Sequence, residues 1–120
     1  FKQQMGGAMR QAGIVAAAGV YALEHNVERL REDHENARAF ARAIAQIPGI
    51  ALSHDRCDTN IVFFEVAETG LTAAEVAERL AGKGVRIGAM GPSQMRAVTH
   101  LDVDGDDLAA AAQALREVLA

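Results

Sequence analysis

The chain has 120 residues, half of them hydrophobic but only 4% aromatic, with no tryptophan and a formal net charge of −4. That length allows at most one domain with a modest core, built here from alanine and small aliphatics, and the acidic balance excludes a basic surface for nucleic acid. One cysteine, Cys57, excludes an internal disulfide and fits a reducing, cytoplasmic setting.

The opening stretch Gln4-Met5-Gly6-Gly7-Ala8-Met9-Arg10-Gln11-Ala12-Gly13 places an arginine behind a glycine pair at the mouth of an apolar segment. Glycines allow a tight turn and close backbone approach, and a helix start aims unpaired N–H groups and partial positive charge at what lies in front. This arrangement suits an anion such as phosphate. An ordinary interdomain salt bridge of Arg10 is the alternative. The chain opens on Phe1 rather than methionine, so a piece of a longer protein is expected. From Met9 to about Asn26 nearly every position is small or apolar, which predicts a helix buried on all sides and therefore covered by surface from outside the chain. The run from Ala12 to Leu23 is too short and glycine-rich for a membrane span, and no signal pattern precedes it.

Val27, Leu30, His34, Ala37, Ala41 and Ile44 then recur at spacings of three and four, with charged residues opposite. An amphipathic helix follows, ended by Pro48-Gly49. Arg31 with Glu35, and Glu35 with Arg38, are placed to add a few tenths of a kcal/mol each. Asn26 between the two helical stretches marks either a bend or a new cap.

Beyond Pro48 the period changes. Ile50–Ser53 reads as a short strand, residues 54–58 as a polar loop, and Asn60–Val66 as a buried strand. Thr72 and Glu75 form a capping box, with Leu71 and Val76 as its staple, opening a helix over 73–81 that stops in Gly82-Lys83-Gly84. Strands over 85–90 and 95–101 flank the turn Gly91-Pro92-Ser93 as a hairpin. Asp104 caps a last helix to about Leu119, with Leu108, Leu115 and Val118 inward. The fold class is α+β: a small antiparallel sheet with helices on one face, preceded by a long buried helix. Residues 1–26 are assigned to that helix, belonging with a large domain or interface, and residues 27–120 to a C-terminal small domain.

In Met95-Arg96-Ala97-Val98-Thr99-His100-Leu101 the period of two puts Arg96, Val98 and His100 on one face. A guanidinium in an apolar strand needs water or an anion, and its forked donors match a carboxylate. Arg96 is thus either a carboxylate-binding residue lining a cleft or an exposed residue paired with a surface acid. His54-x-x-Cys57 lacks a second ligand pair, so no metal site is expected. No serine-nucleophile elbow, Walker loop or metalloprotease motif is present. Lys2 and Lys83 are the only lysines, and neither stands where a covalent nucleophile is expected.

Taken together, residues 5–13 and 95–103 resemble the threonine aldolase family, pyridoxal-phosphate enzymes of the aspartate-aminotransferase-like fold. The first motif is similar to that family's Gly-Gly-Gly-Met-Arg-Gln-Ala-Gly segment; Tyr21-Ala22-Leu23-Glu24-His25-Asn26 and Thr59-Asn60-Ile61-Val62-Phe63-Phe64 continue the match at compatible spacing. The resemblance covers nearly the whole chain but only the C-terminal third of a family member. It implies that Arg10 reaches the cofactor phosphate across a subunit boundary and that Arg96 binds the carboxylate of an amino-acid substrate. It implies a lyase that cleaves threonine, allo-threonine and other β-hydroxy-α-amino acids to glycine and an aldehyde, working as a homodimer or homotetramer. Two departures stand out: Ala8 replaces the third glycine, and Gln3 stands where a second basic residue often follows Lys2. The Schiff-base lysine comes from upstream in the family, so no catalytic residue is assigned within this chain, and alone it is expected to be inactive. The alternatives are a phenylserine aldolase or β-eliminating lyase of the same fold, and a non-catalytic interaction module.

Overall fold

The computed structural model describes residues 1, 4, 7 and 9–120. They form two compact units, Phe1–Leu30 and Arg31–Ala120. In the first unit, α1 (Gly13–His25) is apolar around its whole circumference and has no buried residue. Asn26 is its C-cap, donating its N–H to Ala22 O at 2.9 Å, so this residue closes one helix and does not cap another. The helix begins at Gly13 and not at Met9, because Gln11 holds a left-handed φ of 52°, which a right-handed helix cannot include.

The second unit carries the core. Its α2 (Leu30–Ile44) buries Asp33, Ala37, Phe40, Ala41 and Ile44. Val27 lies before the helix and Leu30 at its first position, so both stay half exposed instead of joining the stripe. The expected Arg31–Glu35 and Glu35–Arg38 pairs do not form among the described residues. Next come β1 (Ala51–Leu52), β2 (Ile61–Glu65), a 3-10 turn over Ala67–Thr69, α3 (Ala73–Ala81), β3 (Gly88–Ala89), β4 (Gln94–Val98) and α4 (Gly105–Leu119).

The sheet order is β1-β2-β4-β3 with every pair antiparallel, and β2 with β4 at its centre. Alternation does the sorting. Val62, Phe64, Met95 and Ala97 point to one face and cluster with Phe40 and Ile44 of α2, Val76 and Leu80 of α3, and Leu115 and Val118 of α4. The α+β arrangement with helices on one face of a small antiparallel sheet is therefore present. Both capping boxes form: Thr72 with Glu75, and Asp104 with Asp107.

The strands are shorter than the hydrophobic runs. Val85 spends its N–H on Leu80 O at 2.9 Å, closing α3, and only Gly88 and Ala89 reach the ladder of β4. Likewise β4 stops at Val98, leaving His100 beyond the strand that was expected to carry it. Gly49, at φ 84°, closes the turn after α2; a Cβ there would stand 2.7 Å from Thr69 Cγ2.

Candidate functional site

The face of the sheet opposite the helices is open. On β4, Met95 and Ala97 are buried while Arg96 and Val98 are exposed, so the pleat that fills the core also lifts the guanidinium out of it. Directly across from Arg96 stand Phe63 on β2 and Gly88 on β3. Gly88 offers no side chain on that side, which leaves room around the arginine.

Glu65 on β2, two residues along from Phe63, is the acid on this face. Both of its carboxylate oxygens are already engaged: Ser93 Oγ donates at 2.7 Å and Gln94 Nε2 at 3.1 Å. Among the described residues, the Arg96 guanidinium has neither an ion pair nor a hydrogen bond. It is a forked cation with its donors unspent, the state in which it grips a carboxylate from solution through two parallel hydrogen bonds. The surface-acid alternative for Arg96 finds no partner here.

The backbone beyond Arg96 is pinned. Thr99, 1% exposed, donates its hydroxyl to Asp33 O at 2.6 Å. Asn60 Nδ2 donates to Thr99 O at 2.7 Å, and Thr99 N–H returns to Asn60 O at 2.9 Å. This clamp ties the end of β4 to the start of β2 and to α2, so Arg96 sits on a strand held from both sides. Sequence reasoning missed Asn60 as a clamp; a polar residue opening an otherwise apolar strand was its only signal. His100 lies outside the strand, with Nδ1 accepting from Asp102 N–H at 3.3 Å.

Arg10 lies in the first unit, exposed, in a turn that precedes the Ala12 N-cap of α1. It is therefore ahead of the helix and not in its first turn. Ala12 gives no side-chain cap to the N–H groups at this helix start. Gln11 beside it is the one non-glycine residue with positive φ among those described. Lys2, Gln3, Gly6 and Ala8 lie outside the described residues, and with them the Gly6-Gly7 turn and the two departures from the family motif. Lys83 is bound to Glu117 at 2.6 Å. No group of three or more histidine, cysteine or acidic side chains is placed to hold a metal among the described residues, and none of their helices is long and apolar enough to cross a membrane.

A family model described as beta-eliminating lyase matches residues 1–69. The chain is 42% identical over its full length to the low specificity L-threonine aldolase of Escherichia coli (strain K12), covering 34% of that protein. It is 30% identical over 108 residues to low-specificity L-threonine aldolase 1 of Arabidopsis thaliana, covering 89% of this chain and 30% of the relative. The chain thus spans about a third of the length of the curated relatives it matches. Among solved structures, a cystine C–S lyase in complex with its product cysteine persulfide superposes with a TM-score of 0.74 at 17% identity, over 88% of this chain and 28% of that one, a likeness of fold. With more than half of its residues matched by the family model and its whole length aligned to the Escherichia coli relative, the chain belongs to the beta-eliminating lyase family, alongside the low-specificity threonine aldolases.

Proposed function

We propose that this chain is the C-terminal part of a pyridoxal-phosphate-dependent aldolase that splits threonine, allo-threonine and related β-hydroxy-α-amino acids into glycine and an aldehyde. The observation that carries the reading is the unopposed guanidinium of Arg96 on a clamped strand, in a chain aligned end to end with a named threonine aldolase. Arg96 binds the substrate carboxylate and fixes the amino acid's orientation. Arg10, exposed before an uncapped helix start, holds the cofactor phosphate. Among the described residues neither arginine has an ion pair, and both suit the anionic ends of such a pair, so the residues present fit the group. When bound, pyridoxal phosphate supplies the ring that accepts electrons from the cleaved bond. The lysine that attaches it comes from the remainder of the enzyme.

Residues 1–26 belong with that remainder, and residues 27–120 form the small domain. The apolar, uncovered surface of α1 supports packing against the large domain or a second subunit of a homodimer or homotetramer. A cytoplasmic location agrees with the single, unpaired Cys57.

The test is aldehyde release from threonine by the full-length protein. Arg96→Ala is expected to raise KM for threonine roughly ten- to a hundredfold, the loss of about 1.5–3 kcal/mol from a charge-assisted hydrogen-bonded pair, with Arg96→Lys recovering part of it. Arg10→Ala is expected to lose cofactor on dialysis; equal retention by this variant and the wild type removes that role. The family model's description favours a second reading, β-elimination. Pyruvate release from cysteine with no aldehyde from threonine would select it.

A further inference from the structure

Between α2 and the loop over residues 53–60 lies a cavity of about 410 Å³, within the range of small-ligand sites. Arg38 and Arg42 line it from successive turns of α2, Arg56 from the loop, and Ile61 and Phe63 give it an apolar wall. Arg56 is matched by Asp58 at 2.8 Å. Arg38 and Arg42 are not: among the described residues neither guanidinium has an ion pair or a hydrogen bond, and Glu35, one turn before, does not reach Arg38. Asp55 also faces the cavity, so three arginines against two aspartates leave the lining with one surplus positive charge in a chain of net charge −4. Ser53, whose hydroxyl oxygen is buried without a hydrogen-bond partner, lines the adjoining recess formed by the same loop. Arg38 is half-buried and Arg42 exposed, and two guanidiniums with unspent donors on one cavity wall are an arrangement that an anion completes.

The spacing selects the kind of anion. A carboxylate has two oxygens and one charge, which a single guanidinium fork saturates. Two forks one helical turn apart call for a dianion with three oxygens. We propose that this cavity binds a small phosphate monoester, its dianionic head held by Arg38 and Arg42 and its apolar body laid against Ile61 and Phe63.

Cys57, which lines the cavity, reports occupancy. Burial pushes its thiol up, and the Arg38 charge is among the influences that pull it back. A dianion on Arg38 cancels that pull and lowers the thiolate fraction. The experiment uses the full-length protein saturated with pyridoxal phosphate, so that added phosphate does not report the cofactor's own site. Phenyl phosphate, inorganic phosphate and sodium chloride at matched ionic strength are titrated in turn, with iodoacetamide alkylation of Cys57 followed by peptide mass spectrometry and binding followed by calorimetry. The expected result is saturable slowing by about threefold, with phenyl phosphate saturating below inorganic phosphate. Arg38→Gln and Arg42→Gln should abolish the calorimetric signal, and Arg38→Lys should keep part of it, with unchanged circular dichroism showing that each variant is folded. Equal slowing by chloride, undiminished phenyl phosphate binding in both glutamine variants, or equal affinity for phenylacetate would each overturn the proposal.

Discussion

Arg96 shows how far a single residue can be read. Its place in an alternating strand predicts its face, and its chemistry predicts an anion. What decides between a solvated charge and a binding residue is Glu65, and Glu65 is occupied by Ser93 and Gln94. That pairing joins residues 28 and 29 positions apart, which no local pattern announces. The Thr99 clamp is of the same kind, linking positions 66 apart through Asp33 O. Thr99→Val keeps the shape and removes the hydroxyl, so the Asp33 carbonyl keeps only its bond within α2. The expected cost is about 0.5–1.5 kcal/mol, measured by urea unfolding, together with a raised KM for threonine as the strand bearing Arg96 loosens. An unchanged unfolding midpoint would remove the clamp's role.

At the scale of elements, the helices were more legible than the strands. The capping boxes at Thr72–Glu75 and Asp104–Asp107 are local chemistry, complete within four residues, and both form. Strand length is different, because it depends on which backbone groups find a partner. Val85 looks like strand but donates to Leu80 O, and β3 shrinks to two residues. The box at α3 also has a pH signature. Hydrogen bonds from the Thr72 N–H, and then from its hydroxyl, hold the Glu75 carboxyl below its usual range. A depressed pKa contributes stability that is fully present above the unfolded value and is lost as pH falls through the folded one. Glu75→Gln is therefore expected to lower the thermal midpoint slightly at neutrality, to converge with the wild type in acid, and so to flatten the acid limb of a plot of thermal midpoint against pH. An acid limb as steep as the wild type's would show that the box does not act through ionisation.

For the whole molecule, the core of the second unit is the decisive feature. Phe64, fully buried in the central strand, packs among residues from three helices, and Phe64→Ala is expected to cost about 3–5 kcal/mol. Denaturant unfolding should show this as a lower midpoint, and a loss under about 1 kcal/mol would mean that the core lies elsewhere. The contrast with α1 is plain: an apolar helix without a buried residue is not the core of its own unit. The sequence by itself determined the fold class, the order of elements, both caps and the two arginines to watch, because periodicity, capping and residue chemistry act over a few residues. Only the tertiary structure decided that, among the described residues, Arg96 is unopposed and Arg38 and Arg42 stand unpaired beside a cavity, and that Asp33 is buried, because each depends on groups brought together from distant parts of the chain.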